Sequence, residues 1–313
     1  MVTVATLAPS LSPTFIDSSS EIPIIDTHTH FDMPVFANDR VTLATQAWQS
    51  GVRHLVLVGY VQRHFMRMQQ TKAELFAAAT DNLNLPIPQV YVAAGLHPAY
   101  IHEHQQTDLP LLAEFVKTHQ PIAIGEIGMD TYEDTLKTDS ALAKQRQFFI
   151  AQLDLAVSEK LPVILHIRKA HAQCLKILKE HQYDAQQLGG IAHSFSGGEQ
   201  EAKAFVELGF KLGVTGQITN PNAKKLRRAI TCAVEKYGLD CLVLETDCPD
   251  MLPYSCYQPS LDTQQPNVPA NLAYVFAQLS EMFSVDRQTL AHQLWKNSCE
   301  AFKIQWQYPP LIS

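Results

Sequence analysis

PIAIGEIG (residues 121–128), SALAKQRQFFIAQLDLAVSEK (140–160) and LPVILHI (161–167) together decide the architecture of this chain. The first and third are short apolar runs without polar alternation, as expected of strands buried on both faces. Between them Leu142, Phe149, Leu153, Ala156 and Val157 fall on one face of a helix. Strand, helix and strand follow one another, which is the signature of a parallel sheet covered by helices.

Working outward, similar runs recur at IPIIDTH (22–28), RHLVLVGY (53–60), QVYVAAGL (89–96), GGIAHSF (189–195), FKLGVTG (210–216) and CLVLETD (241–247). With the two above they make eight strands separated by helical patterns, and residues 267–302 supply the last helix and a further one. Eight repeats without a shift in composition predict an α/β fold, a (β/α)8 TIM barrel in a single domain. An open doubly wound sheet would call for G-x-G-x-x-G after an early strand, and none is present. We expect a short flexible N-terminal extension over residues 1–20, the barrel over 21–304 and a C-terminal tail over 305–313.

A hydrophobic content of 46% and a charged content of 18% suit a folded domain, and a net charge of −7 excludes a bulk basic footprint. Any nucleic acid must therefore be held by a local site. Six cysteines without a C-x-x-C pair suggest reduced thiols and a cytoplasmic protein. Residues 1–20 contain no Lys or Arg and are broken by Pro9 and Pro13, unlike a secretory signal. No membrane association is expected, and no obligate protein partner is inferred.

The polar residues gather at strand ends. Asp26, His28 and His30 alternate after the first apolar run, so they point the same way. Later strands end in His97, Glu126, His166, His193 and Asp247. In a barrel these would meet at the C-terminal rim, where catalytic residues lie. Four imidazoles (His28, His30, His166, His193) and two carboxylates (Glu126, Asp247) in one apolar mouth are costly unless something binds them together, and a pair of divalent metal ions would do so. Nitrogen-rich ligation favours zinc, manganese, nickel or iron over magnesium, though magnesium could serve in activity. Glu126 lies in the sequence between the two histidine pairs and is assigned as the bridging carboxylate. His54, His102, His104, His119, His181 and His292 are given structural or surface roles.

In order along the chain, DTHTHFD, GLHP, GEIGMD, LPVILHIRKAH, HSFSGG and LETDCPDMLP resemble the successive motifs of the TatD family of metal-dependent hydrolases, within the amidohydrolase superfamily. ETDCPDM, GVTGQITNP and QPNVP are most similar to its YjjV-type branch. The resemblance implies one metal ion on His28, His30, Glu126 and Asp247 and a second on Glu126, His166 and His193, with Asp26 and Glu245 as supporting carboxylates that orient the imidazoles. It also implies deoxyribonuclease activity, 3′-5′ exonuclease-like, on single-stranded DNA or RNA ends.

For such a reaction a metal-bound hydroxide would attack the phosphodiester, with Asp247 as general base and Glu126 holding the ions. His97 and Arg168, with Lys169, are candidates to hold phosphate oxygens. Lys224, Lys225, Arg227 and Arg228 could guide a nucleic-acid backbone or simply form a solvated helix face. Tyr100, Tyr132 and Tyr254 could stack on bases or merely pack. The alternative is a barrel hydrolase of a small ester, amide or lactone, or of misacylated tRNA. A catalytically inactive binding scaffold is disfavoured by the intact ligand set.

Overall fold

The chain is described by a computed structural model over residues 22–80, 85–257 and 265–309. The expected extension at residues 1–20 lies outside the described residues. Among the latter, eight strands alternate with helices: β1 (Ile24–Thr29), α1 (Arg40–Gln49), β2 (Val52–Val58), α2 (Phe65–Thr80), β3 (Gln89–Ala94), α3 (Asp108–His119), β4 (Ala123–Asp130) and α4 (Asp139–Glu159). There follow β5 (Val163–Arg168), α5 (His171–Glu180), α6 (Ala185–Leu188), β6 (Gly190–Ala192), α7 (Glu199–Glu207), β7 (Lys211–Val214), α8 (Lys224–Tyr237), β8 (Leu242–Leu244), α9 (Leu272–Phe283) and α10 (Arg287–Phe302). Each strand pairs in parallel with the next, in the order β1 to β8. The eight sequence runs thus become the staves of a nearly closed TIM barrel.

The seam between β8 and β1 is stitched differently from the other joints. Thr27 Oγ1 donates to Leu244 O (2.8 Å), Asp247 N to His28 O (2.9 Å) and His30 N to Cys248 O (2.9 Å). Asp26 accepts from Thr246 N (2.9 Å) and from Thr246 Oγ1 (2.6 Å). Short polar side chains, Asp26 and Thr27 in β1 and Thr246 just past β8, therefore fasten the two strands, and the backbone bond from Asp247 sets it beside His28.

Side-chain alternation along the strands divides the core in two. Val56, Val58, Ala93, Ala123, Ile164, Ile191 and Val243 fill the inside of the barrel, closed at its N-terminal end by Phe302, Tyr91, Ile304 and Trp306. Leu55, Leu57, Val92, Leu165 and Leu212 face outward against the helices. The C-terminal end of the barrel is left for polar groups. A helix was expected over residues 140–160, and α4 lies within one residue of it, capped by Thr138 Oγ1 accepting from Ala141 N (3.2 Å) and ending at Lys160 in the left-handed region, φ 56°.

Candidate metal centre

At the open end the strand termini deliver six side chains to one place. His28 Nε2 is 3.4 Å from His30 Nε2, 3.3 Å from Glu126 Oε2 and 3.6 Å from Asp247 Oδ1. His30 Nε2 is 3.6 Å from the same Glu126 oxygen and 3.7 Å from the same Asp247 oxygen. Tetrahedral bonds of about 2.0–2.1 Å from nitrogen and oxygen to zinc place neighbouring ligand atoms about 3.3–3.4 Å apart. The contacts of His28 and His30 with each other and with these two carboxylates, at 3.3–3.7 Å, are close to that spacing.

The second oxygens of both acids turn the other way. Glu126 Oε1 lies 2.7 Å from His166 Nδ1 and 3.6 Å from His193 Nε2, and Asp247 Oδ2 is 3.4 Å from His193 Nε2. Glu126 and Asp247 therefore each offer one oxygen to the His28–His30 side and one to the His193 side. The 2.7 Å contact of His166 is a hydrogen bond and would have to lengthen for both atoms to hold one ion.

His97 also approaches, with Nε2 3.4 Å from Glu126 Oε1. Its Nδ1 accepts from Ala99 N (3.0 Å), and burial depresses the ring to a pKa of about 4. A neutral ring accepting at Nδ1 carries its proton on Nε2, so His97 presents a donor there, not a lone pair. Arg168 lies at the same rim, its guanidinium carbon 3.6 Å from the centre of the Tyr132 ring.

Behind the donors stands a set of supports. His30 Nδ1 donates to Val58 O (3.0 Å), which leaves its Nε2 lone pair directed inward. Among the described residues His28 Nδ1 has no hydrogen-bond partner, and the ring stacks on His193 with ring centres 3.4 Å apart. His193 Nδ1 lies 3.0 Å from Glu245 Oε1, whose carboxylate accepts from Ser194 N. Asp26 differs from its expected part: its carboxylate bonds Thr246 and the His28 backbone instead of an imidazole ring. Its place is the barrel seam.

Sequence reasoning missed Asp130. Its Oδ2 accepts from His166 Nε2 (3.0 Å), so His166 is held between two carboxylates. A signal was available: Glu126 and Asp130 are separated by an even number of residues on β4 and so face the same side. Also missed were Asp32, Arg67 and Tyr60. Arg67 Nε donates to Asp32 Oδ2 (2.8 Å) and its terminal NH2 to Tyr60 Oη (2.5 Å), while Tyr60 packs edge-on to His30.

The electrostatics follow from this packing. Burial would raise the carboxyl of Glu126, but His97, His28, His193 and His166 outweigh it and hold it well below the usual range. Asp247 is likewise held low against burial, chiefly by His193. Burial opposes the charge on His166, yet Glu126 and Asp130 push its pKa up to about 9. Burial and the neighbouring His193 depress His28, which favours its neutral, lone-pair form.

The residues fit a divalent cation. Among the described residues Glu126 Oε2 is buried without a hydrogen-bond partner, which is costly for an anion unless a cation supplies the missing contact. His28, His30 and Asp247 are close enough together to hold an ion, and so are His28, His193 and Glu245, and His97, Glu126 and His166. For His97 the tautomer argues for hydrogen-bond donation instead.

Comparison with known proteins agrees with this chemistry. The family described as TatD related DNase matches residues 25–303. The metal-dependent hydrolase YjjV of Escherichia coli K12 is 35% identical over 90% of this chain and 98% of its own length. A metal-dependent hydrolase of Haemophilus influenzae is 37% identical over 88% of this chain and 98% of its own. At greater distance, a 3′-5′ ssDNA/RNA exonuclease TatD from Pantoea is 27% identical over 86% of this chain and 95% of its own. The crystal structure of E. coli YjjV superposes with a TM-score of 0.74 at 34% identity, covering 91% of this chain and all of that one.

Proposed function

This chain belongs to the TatD family and is a metal-dependent hydrolase, and from that premise we propose that it cleaves phosphodiester bonds at the ends of single-stranded DNA or RNA through a binuclear site. One observation carries the reading: Glu126 and Asp247 each divide their two oxygens between separate groups of imidazoles. That division suits two cations side by side, with His28, His30, Glu126 and Asp247 around one and Glu126, His166 and His193 around the other. The nucleic-acid substrate is supported by the name of the more distant Pantoea relative, a 3′-5′ ssDNA/RNA exonuclease.

Divalent cations held there would polarise the phosphoryl group and acidify water, most suitably zinc, manganese, nickel or iron. The chain supplies the remaining parts. Glu126 is anionic at neutral pH and fixes the separation of the two donor groups. Asp247 is the more exposed of the two carboxylates, with 11% of its side chain accessible against 1% for Glu126. It can therefore meet the attacking water and accept its proton. His97 Nε2–H and the free N–H edges of Arg168 are donors for phosphate oxygens. The Nδ1 proton that His166 shares with Glu126 must leave when a cation is bound. The six cysteines are all unpaired, which suits the cytoplasm.

The test is turnover of single-stranded oligonucleotides against a panel of small esters, amides and lactones, with zinc, manganese and magnesium in turn. We expect oligonucleotide cleavage by the wild type and none by Glu126→Gln with any metal. Wild-type rates in that variant would sink the bridging role, and turnover of the small esters alone would sink the nuclease reading.

A further inference from the structure

Beyond the metal donors, β4 and β5 are clasped to their ends. Asp130 and Arg168 are register partners. Past them Thr131 N donates to Arg168 O (2.9 Å) and Thr131 Oγ1 to Lys169 O (2.8 Å). Tyr132 N donates to Asp130 Oδ1 (2.7 Å), the same carboxylate whose Oδ2 accepts from His166. One acid thus ties the Tyr132 turn to a candidate metal ligand.

These bonds place the Tyr132 ring against two cations, with the guanidinium carbon of Arg168 3.6 Å and Lys169 Nζ 4.6 Å from its centre. Lys169 holds a left-handed backbone conformation, φ 54°, of the kind that clusters at functional rims. Among the described residues neither cation forms an ion pair, although the chain carries an excess of acids. Tyr132 remains 42% exposed. Arg168 lies two residues beyond His166 on β5 and so projects to the same side, toward the mouth.

Resting on the nuclease reading above, we propose that Tyr132 and Arg168 form a seat for the unpaired base of the nucleotide at the strand end, with Lys169 directed to its phosphate. The Arg168 guanidinium lies over the Tyr132 ring, which stays partly exposed, and bases stack on both arginine planes and aromatic rings. Its N–H edges remain available to phosphate oxygens. Such a seat accepts any base, because every base has a π-face, and excludes a base still paired within a duplex. The link through Asp130 sets the seat beside His166, so a seated terminal base brings its own phosphate to the metal donors.

The experiment uses metal-loaded wild-type, Tyr132→Leu and Tyr132→Phe enzyme. The substrates are a short single-stranded oligonucleotide, the same oligonucleotide with an abasic 3′-terminal residue, and bis(p-nitrophenyl) phosphate. In the wild type, loss of the terminal base should raise KM about tenfold. Tyr132→Leu should impose a similar loss on the intact strand relative to the small diester, and the two losses should not add; Tyr132→Phe should retain the preference for the base. Equal KM for intact and abasic strands, or fully additive losses, would overturn the seat alone. Turnover of the small diester without any strand cleavage would overturn the nuclease reading and the seat with it.

Discussion

At Gly213 in β7 an added Cβ would fall well inside contact distance of the Glu245 carboxylate. That carboxylate is fully buried, accepts from Ser194 N and stands against His193 Nδ1. The missing side chain at residue 213 is thus what admits the acid that stands 3.0 Å from a candidate ligand. We expect Gly213→Ala to displace Glu245 and to cost about 10–100-fold in metal affinity or activity. Zinc titration and kcat/KM measure it, and a variant with unchanged metal affinity would remove Glu245 from the support of His193. The acids and imidazoles themselves were legible because each follows an apolar run, where a polar residue stands out. Asp130 was legible only as far as its side of β4, which it shares with Glu126, since a carboxylate near a strand end reads the same whether it meets an imidazole or water. The pairing of Gly128 with His166 and of Asp130 with Arg168, invisible in the sequence, is what brings it to the ring.

At the scale of elements, α4 shows where hydropathy stops informing. Phe149, Leu153 and Ala156 lie on the buried face expected of them, and Leu142 and Val157 are half-buried. The same face also buries Gln145 and Gln152, which a hydropathy pattern assigns to solvent. Gln145 accepts from Asp130 N (2.8 Å) and donates to Asp130 O (3.0 Å) and Leu136 O (3.1 Å). Gln152 accepts from Leu96 N (2.7 Å) and donates to Leu96 O (3.2 Å) and Phe148 O (3.1 Å). Two amides on one helix thus satisfy the backbone where β4 and β3 turn away from the sheet, next to Asp130 and His97. We expect Gln152→Leu to lower stability by about 2 kcal/mol, because it leaves the Leu96 backbone groups buried and unpaired. The urea-unfolding midpoint measures this, and a midpoint equal to wild type would count against it. The strands were readable because continuous apolar runs have few other meanings. The seam was not, because the bonds of Thr27, Asp26 and Thr246 join residues more than two hundred positions apart and leave no local pattern.

Over the whole molecule the barrel has two unlike poles. One gathers acids with imidazoles; at the other, His54 begins the inward face of β2 below Val56 and Val58, among Tyr91, Trp295 and Trp306. Burial there depresses the His54 pKa to about 4, with a smaller push from the neighbouring Arg53 charge. The folded state therefore holds this ring neutral, while in the unfolded chain it takes up a proton near its ordinary pKa of 6.5. The unfolded state binds more protons between those values, so stability rises with pH there. The contribution is fully present above the ordinary pKa and is lost as pH falls through the window toward 4. Going from about pH 7 to about pH 5, His54 should cost the fold about 2 kcal/mol. His64 and His104, also depressed mainly by burial, add to the acid sensitivity of the wild type, so the share of His54 must be read by difference. Urea unfolding of wild type and of His54→Phe at both pH values supplies that difference. The variant should lose about 2 kcal/mol less on acidification, whatever its stability at neutral pH. Parallel losses in the two proteins would mean that the aromatic floor of the barrel admits a charged imidazole and that its burial does not govern acid stability.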